Sequence, residues 1–483
     1  MSQLEIYISE FSRYVITLLM ILYTYESFAV FRFAQEERRK GIYARQSFLM
    51  FAFHFCCFVT ICFETGDINY LFFYAFQQIA LYAFTVLYRM LYPKSNRLVS
   101  NNMCMLLCIG LVIQTRLDMS KAIKQFIIAA GSLAVALVIP FFVHNFKLLK
   151  RMKWIYALTG VAALGIVMIL GQTTYGSKLS YSIAGITFQP SEFVKILFVF
   201  YIASSLYEAS GFFEVFTTAV VAAAHVISLV ISKDLGSALI FFIVYVLMVF
   251  VATRNFLYLL AGAVGGSGAA YVAYRVFRHV QVRVEAWRDP WSVIDSNGFQ
   301  ITQSLFAISS GGLFGLGLYR GTPNSIPFVE TDFIFSAIAE ELGIVAAICL
   351  LLICVSTFLM FMNIASGMND KFYQLTAFGL GVTYIFQVFL TVGGGTKFIP
   401  LTGVTLPLIS YGGSSILTTI VMFAIAQGLH IIRQDEEEAL KTALKKKRLK
   451  KQRMRRQAEG GSKRRSYPAG DEIEDEEESE EEK

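Results

Sequence analysis

The sequence predicts an all-α polytopic membrane protein, a bundle of about 13 transmembrane helices. Of the 483 residues, 55% are hydrophobic and only 16% are charged, whereas about 25% of the residues of a soluble domain are charged. Apolar runs long enough to cross a hydrocarbon core, about 20 residues each, recur along most of the chain. These runs are continuous and do not alternate with polar residues, which favours helices over a β-barrel.

The predicted spans are separated by short polar loops in most of the chain. They cover residues 13–33, 46–62, 68–92, 98–115, 122–145, 153–171, 190–208, 214–231, 236–252, 255–276, 332–361, 371–395 and 410–433. Two polar regions remain, a long loop at 277–331 and a tail at 434–483. The tail is first basic and then acidic, and such charge blocks are typical of disordered segments.

Positive charges in the short loops indicate the orientation. The loops after the first, third and fifth spans are basic, and the second loop, FETGDIN, is acidic. An odd number of spans places the tail, which contains LKKKRLKKQRMRR, on the same side as the basic loops. We therefore expect the N-terminus and the 277–331 loop outside the cell, and the C-terminus in the cytoplasm.

Within the 277–331 loop, the stretch SLFAISSGGLFGLG is apolar and rich in glycine but too short to span the membrane. A re-entrant or interfacial helix that ends in a glycine turn fits this pattern. The pattern does not predict a nucleotide-binding phosphate loop, because no Lys-Ser/Thr pair follows the glycines and no strand precedes them. The five histidines and seven cysteines show no spacing typical of a zinc site.

Charged residues at the outer ends of three spans are the main candidates for a functional site, since charges inside a bilayer are costly. Glu192 and Lys195 lie three residues apart on one helix face in FQPSEFVKI, and Asp234 opens the ninth span. An end cap and an intrahelical ion pair would account for these positions. Lys195, however, lies one turn inside the membrane and needs a partner or a water-filled cleft.

The stretch VETDFIFSAIAEELG gives a more specific signal. Asp332 begins the eleventh span, and Glu340 and Glu341 follow two turns deeper. A single Asp at a helix start is usually a cap, but two acids deep in a span need partners from other helices or a polar cavity.

Two further segments have the chemistry of an anion site. Arg283 and Trp287 in the long loop suit a phosphate or sugar ligand, because guanidinium binds phosphate in a fork. In FIPLTGVTLPLISYGGSS, residues 398–415, the two prolines forbid a regular helix. Irregular backbone at membrane depth is tolerated where it lines a cavity or is buried in protein. We therefore interpret residues 398–415 as a cavity wall.

Taken together, the motifs QPSEFVK, DLGSA, GFQITQSLFAISSGGLFGLG, TDFIFSAIAEELG and PLTGVTLPLISYGGSS, in this order, resemble the SEDS family, the RodA/FtsW/SpoVE glycosyltransferases of bacterial cell-wall synthesis. The family commonly has ten spans. The resemblance therefore implies an accessory N-terminal transmembrane module at 1–95, a SEDS core at 96–433 and a charged tail at 434–483.

The sequence departs from the family pattern at two places. Ser180, with Tyr181 beside it, occupies the position where the family usually has a tryptophan. Leu390 and Thr391 stand where the family has an asparagine after Gln387. These departures concern details of substrate binding and leave the central motifs intact.

The resemblance implies polymerisation of lipid II into β-1,4 glycan strands at the outer membrane face, in elongation, division or sporulation. It implies Asp332 as catalytic base, and a substrate-binding set comprising Gln189, Glu192, Lys195, Asp234, Arg283, Lys397, Ser410, Ser414 and Ser415. It also implies a class B penicillin-binding protein and other elongasome or divisome membrane proteins as partners, and no nucleic acid. A divalent cation, Mg²⁺ or Mn²⁺, is a candidate cofactor.

Two other functions fit parts of the sequence. A lipid II transporter would also have a charged cavity, but it needs a continuous polar path, whereas the informative charges crowd the outer half. A non-catalytic scaffold that recruits a transpeptidase would need neither Asp332 nor the Glu192 and Lys195 pair.

Overall fold

The computed structural model describes residues 3–33, 36–174, 177–183, 186–208 and 211–464. Over these ranges the chain forms helices and one small sheet, with the following bounds: α1 Gln3–Arg32, α2 Glu36–Thr65, α3 Asn69–Leu91, α4 Arg97–Leu117, α5 Met119–Ala136, α6 Ile139–Asn145, α7 Lys153–Leu170, β1 Gln172–Thr174, β2 Ser177–Ile183, β3 Ile186–Phe188, α8 Pro190–Leu206, α9 Phe212–Ile231, α10 Leu235–Thr253, α11 Phe256–Val276, α12 Arg278–Arg288, α13 Phe299–Gly311, α14 Ile334–Ser366, α15 Lys371–Gly395 and α16 Gly413–Arg464.

The predicted helical membrane fold is confirmed. Across the described ranges, 12 helical segments are long and apolar enough to cross a membrane, and α5 and α6 together make one of them. The seventh predicted span corresponds to α8, which has 17 residues, the lower limit for a crossing helix. Several helices begin where an Asn or Asp side chain accepts a hydrogen bond from the first turn, as Asn96, Asp118 and Asp370 do.

The helices differ widely in burial. Nearly all residues of α4 are buried, so this helix is at the centre of the bundle. By contrast, α11 buries none of its residues. Its main neighbours are α10 and α12. A helix that is apolar all round and unburied within the protein is suited to contact with lipid.

A small antiparallel sheet, which the sequence analysis did not predict, follows α7. The strand order is β1-β2-β3, with Tyr181 paired to Phe188 and a bulge next to Gln172. In β2, Leu179, Tyr181 and Ile183 alternate with Ser180 and Ser182, which is the period of a strand, and the sequence analysis overlooked this signal. The sheet delivers the chain to the start of α8, where Phe188 stacks on Phe193 with ring centroids 4.8 Å apart.

Helix α14 is broken at Gly343, although the sequence predicts one continuous span there. Gly343 has φ +88°, and the chain after α13 fills the gap. The amides of Leu316 and Gly317 donate to the carbonyls of Glu340 and Glu341, both at 2.9 Å. On the other side of the break, the amide of Ile344 donates to the carbonyl of Gly312 at 3.0 Å. The polar backbone groups at the break are therefore satisfied inside the protein, as membrane depth requires.

We expect Gly343→Ala to lower stability markedly. A Cβ at this position would lie 2.4 Å from both the amide nitrogen of Gly315 and the carbonyl oxygen of Leu313. Backbone strain at such a φ costs about 1–3 kcal/mol by itself. Thermal unfolding of the purified protein in detergent measures the effect. The control is Gly165→Ala, since a Cβ there meets nothing within 4 Å. A Gly343→Ala protein that unfolds at the wild-type temperature would contradict this account.

The tail differs from its sequence prediction. Helix α16 extends to Arg464, so the expectation of a disordered tail does not hold over 434–464. The residues there are mainly Glu, Ala, Leu, Lys and Arg, which are strong helix formers. Glu437 also precedes Lys441 by four residues, and such a pair of opposite charges stabilises a helix. The acidic end of the tail, residues 465–483, lies outside the described residues.

Candidate active site

A large cavity opens at one end of the bundle, where several helices begin or end. Its volume is about 1210 Å³, larger than the roughly 300–1,000 Å³ of typical small-molecule sites. The walls come from β2, the first turns of α8, α10 and α16, helices α5, α12 and α13, and the irregular segments 327–332 and 401–412. The last of these confirms that the proline-containing stretch is non-helical up to the start of α16 at Gly413 and forms a cavity wall.

Asp332 lines the cavity from the 327–332 segment, two residues before α14 begins. Burial raises the pKa of Asp332 to about 6, and a hydrogen bond from Thr331 and the charge of Arg283 partly offset the effect of burial. The carboxyl group therefore titrates close to neutral pH, as is common for catalytic acids and bases.

Arg283 reaches the same part of the cavity from α12. Its Nη1 donates to the carbonyl oxygen of Thr402 at 3.1 Å. Burial lowers the pKa of Arg283, while the charges of Asp332 and Asp234 raise it. Gly403 is adjacent to both groups: a Cβ on it would be 3.8 Å from Nη2 of Arg283 and 3.9 Å from Oδ2 of Asp332. The absence of a side chain at Gly403, whose φ is +75°, keeps this space open.

Asp234 is a helix cap that also joins a polar network. Its Oδ1 accepts from the amide of Ser237 at 3.1 Å, and its Oδ2 accepts from Ser191 Oγ at 3.2 Å. The side chain of Gln189 donates to Ser191 Oγ at 3.0 Å, and its backbone amide donates to Ser414 Oγ at 2.9 Å. The network therefore ties the starts of α8, α10 and α16 together beside the cavity.

Lys195 is buried beneath the cavity and does not line it. Its Nζ donates to Glu192 Oε1 and to Gln387 Oε1, both at 2.9 Å. Gln387 in turn donates to the carbonyl of Thr405 at 3.1 Å, on the 401–412 wall. Glu192 lines the cavity, and its second oxygen, Oε2, is buried with no hydrogen-bond partner among the described residues.

Of the remaining predicted residues, some line the cavity and others lie behind or outside its wall. Ser414 and Ser415 line the cavity, and Ser415 Oγ accepts from Thr405 Oγ1 at 2.9 Å. Ser410 is buried behind the wall, where it accepts from the amide of Leu406 at 2.9 Å and donates to the carbonyl of Thr331. Lys397 lies outside the cavity-lining set. Its carbonyl accepts from Trp287 Nε1 at 3.1 Å, which anchors α12.

The departures from the family pattern have clear positions. Ser180 is buried and lines the cavity. Tyr181, the next residue on β2, points to the opposite face, as neighbouring strand residues do. The hydroxyl of Tyr181 is buried with no hydrogen-bond partner among the described residues. Thr391 donates to the carbonyl of Val404 at 2.8 Å and so helps to hold the cavity wall.

Several cavity residues were missed by the sequence analysis. Lys124 reaches the cavity from α5, and Glu330 and Tyr411 reach it from the two irregular segments. Glu330 forms an ion pair with Lys121, and its carbonyl accepts from the amide of Tyr411 at 2.7 Å. The sequence shows Glu330 two residues before Asp332, but it does not show that Lys121, far away in the chain, is the partner of Glu330. In the described part of the chain, no cluster of three or more His, Cys, Asp or Glu side chains forms a ready metal site.

Comparisons with known proteins agree with this architecture. The FtsW/RodA/SpoVE family model, described as cell cycle protein, matches residues 96–435. Peptidoglycan glycosyltransferase RodA of Mycobacterium tuberculosis is 36% identical over 314 residues, which cover 61% of this chain and 67% of that protein. Stage V sporulation protein E of Bacillus subtilis is 29% identical over 322 residues, which cover 64% of this chain and 86% of that protein.

A solved structure supports the fold. A chain from a study of a peptidoglycan synthase complex that coordinates polymerisation and crosslinking aligns with a TM-score of 0.60 and 22% identity. The alignment covers 70% of this chain and 98% of that chain. Because the family model matches well over half of the sequence, the resemblance seen in the motifs is confirmed: this protein belongs to the FtsW/RodA/SpoVE family.

Proposed function

We propose that the protein is a peptidoglycan glycosyltransferase that polymerises lipid II into β-1,4 glycan strands at the outer face of the bacterial cytoplasmic membrane. Family membership and the names of its relatives support the reaction class. The observation that carries the proposal is the placement of Asp332 and Arg283 beside Gly403 in one large cavity.

The residues suit the chemistry of this transfer. In our proposal Asp332 accepts the proton of the acceptor sugar's 4-hydroxyl as its oxygen bonds to the anomeric carbon of the donor. The bond from that carbon to the diphosphate oxygen breaks, and the diphosphate leaves with the electron pair. Arg283, with Lys124 at the cavity wall, is placed to stabilise the negative charge. Ser414 and Ser415 line the adjoining wall and are proposed to contact the sugar or phosphate groups.

Two predicted substrate-binding residues receive a different role. Since Lys195 and Ser410 are buried behind the cavity, we propose that they position the wall instead of contacting substrate. Lys195 holds Glu192 on one side and Gln387 on the other, and Ser410 holds the backbone next to Asp332. Lys397 is proposed to contact substrate only outside the cavity.

A divalent cation fits the donors that are present. Mg²⁺ is usually held by one or two carboxylates together with substrate phosphates, and both Asp332 and the unpartnered Glu192 Oε2 are oxygen donors of this kind. Since Asp332 must accept a proton in our proposal, we propose Glu192 as the protein's candidate ligand for Mg²⁺ or Mn²⁺. Such an ion would supply positive charge at the departing diphosphate.

We propose that the cavity faces outward, with the N-terminus outside and the C-terminus in the cytoplasm, as the distribution of positive charges predicts. We also propose that the protein acts with a class B penicillin-binding protein, within the membrane assemblies of elongation, division or sporulation. The similarity to a chain studied in a peptidoglycan synthase complex supports such a partner.

The decisive experiment is polymerisation of labelled lipid II by the purified full-length protein, with and without its cognate transpeptidase. Glycan strands that depend on this protein would support the proposal. No strands in either condition would contradict it. In that case, movement of lipid II between the leaflets of proteoliposomes would favour a transporter, and no movement would favour a scaffold.

The pH dependence of kcat/KM gives an independent test of Asp332. Because burial raises the pKa of Asp332 to about 6, the carboxyl is protonated and inactive as a base below this pH. We therefore expect kcat/KM to rise as the pH increases through about 6 and to be constant above it. Initial rates between pH 4.5 and 8 measure this profile. A kcat/KM that stays constant down to pH 4.5, as an aspartate with the ordinary pKa of about 3.9 would give, would contradict the assignment.

A matched variant tests the cause of the profile. The positive charge of Arg283 lowers the pKa of Asp332, so Arg283→Gln is expected to move the inflection to higher pH. A downward movement, or none, would show that the profile reports another group.

A further inference from the structure

The three N-terminal helices, α1 to α3, lie outside the part of the chain that matches the family model, which begins at residue 96. They are nonetheless well packed against the rest of the bundle. Helix α1 packs along α14, α2 along α4, and α3 against α4 and α5. The module is therefore positioned to act on α14, the helix that follows Asp332.

The N-terminal helices also contact the turn that follows α13. Arg320 forms ion pairs with Glu10 of α1 and with Glu64 of α2, its Nε lying 3.3 Å from Glu64 Oε1. The Glu64 side chain is only 8% exposed, so its charge depends on this partner. Tyr319 donates to the hydroxyl of Tyr70 at 3.3 Å.

Two more contacts from α1 reach the same turn. Arg13 donates to the carbonyl of Gly315 at 3.3 Å, and the ring of Tyr14 packs on Phe314 with centroids 5.3 Å apart. Residues 314–320 are thus held from one side by the N-terminal helices. Their other side is bonded to α14 at the Gly343 break.

The turn leads directly to the cavity. The carbonyl of Gly321 accepts from Arg116 at 3.1 Å, and the amide of Thr322 donates to Glu340 Oε1 at 2.8 Å. From there the chain runs through residues 327–332, which line the cavity and end at Asp332. A displacement of Arg320 would therefore be passed on to Asp332 along a short, bonded segment.

A second attachment fixes the module to α14 farther along that helix. The Tyr23 hydroxyl donates to Asn102 Oδ1 at 3.0 Å. The Asn102 amide in turn donates to Ser356 Oγ at 2.7 Å and Thr357 Oγ1 at 3.1 Å. All four side chains are buried, and buried polar networks of this kind specify one packing arrangement.

We propose that the N-terminal helices brace the segment 311–333, with Arg320 as a positioning residue that holds Asp332 in its working place. Arg320 does not line the cavity and acts through the backbone that joins it to Asp332. The inference rests on the proposed function only where activity is the readout.

The test compares the full-length wild type with Arg320→Ala, Glu64→Gln and the double variant. The first readout is hydrogen exchange of the amides in 313–333, which needs no substrate. We expect the exchange rate to rise about tenfold in each single variant. This factor is typical of the interaction between residues of one ion-pair network. The double variant should be no more than slightly faster than Arg320→Ala, because both changes remove the same contact.

The second readout is polymerisation of lipid II. A displaced Asp332 is expected to lower kcat by about tenfold, with KM nearly unchanged because the cavity walls remain. Arg320→Lys keeps one positive charge and is expected to recover part of the rate.

The control is Arg45→Ala, which breaks the ion pair of Arg45 with Glu26 within the same module, where Nε lies 2.6 Å from Oε1. Neither carboxylate nor guanidinium of this pair contacts the 311–333 segment, so exchange there and kcat should stay at wild-type values. Equal changes in Arg45→Ala and Arg320→Ala would reduce the effect to general destabilisation and overturn the proposal.

The two proposals fail in different ways. Unchanged exchange of 313–333 in both Arg320→Ala and Glu64→Gln would overturn the brace, whatever the enzyme activity. A wild-type protein that forms no glycan strands would instead contradict the proposed function, while the exchange data would still decide the brace. If Arg320→Ala does not fold, Glu64→Gln decides the question alone.

Discussion

Replacing Asp332 with asparagine is expected to lower the rate of lipid II polymerisation by about 10²–10⁴-fold, the usual contribution of a general base. Asparagine keeps the shape of the side chain but cannot accept the proton of the sugar hydroxyl. The measurement is the initial rate of glycan strand formation by purified protein, together with thermal unfolding to show that the variant is folded.

The size of the loss separates possible roles of Asp332. A decrease beyond about 10⁴-fold would indicate a second role, such as binding a divalent cation. The matched control is Glu330→Gln, which changes a carboxylate on the same wall that pairs with Lys121 and is expected to have a much smaller effect. If Asp332→Asn keeps the wild-type rate within tenfold, the base lies elsewhere.

The second large effect is expected at Arg116, the partner of a buried acid. Arg116 Nε lies 2.7 Å from Glu341 Oε1, and the Glu341 side chain is 1% exposed. The guanidinium also lies over the ring of Tyr319, 4.4 Å from its centroid. We expect Arg116→Met to lower the free energy of unfolding by about 3–5 kcal/mol, because the variant leaves a buried charge without its partner.

A double variant shows whether the unpaired charge causes the loss. Replacing both members of a buried ion pair with apolar residues of similar size is often neutral, so Arg116→Met combined with Glu341→Leu is expected to recover most of the stability. The free energy of unfolding of each protein is measured in detergent, with heat or denaturant as the means of unfolding. A double variant as unstable as Arg116→Met would show that the arginine acts through its other contacts, with Gly321 and Tyr319.

Much of the architecture could be predicted from the sequence because hydrophobic length and charge are local properties. The spans, the irregular backbone from 398 to 412 and the acid at Asp332 all follow from neighbouring residues. Glu340 and Glu341 were recognised as acids that need partners, but the partner of Glu341 is Arg116, 225 residues away. No local pattern identifies such a pair.

The same limit explains the break in α14 and the burial of Lys195. Gly343 lies in a run of apolar residues, and hydropathy does not distinguish a straight helix from one with a backbone segment inserted. Lys195 shares a motif with cavity residues, yet its partner Gln387 comes from a helix far along the chain and draws it below the cavity. The small β-sheet was missed because two of its strands have only three residues, and the serines and threonines are typical of loops. The alternation in β2 would have identified that strand.

The break at Gly343 also bears on how the protein is made. A helix entering the bilayer from the translocon must satisfy its own backbone groups, because lipid offers no hydrogen bonds. Helix α14 achieves its final form only when residues 312–317, which leave the ribosome earlier, dock into the gap and supply the missing bonds. We therefore expect α14 to insert first as a regular helix and to open at Gly343 late in assembly. Maturation of the cavity would then be the last step of folding, after all spans have crossed the membrane.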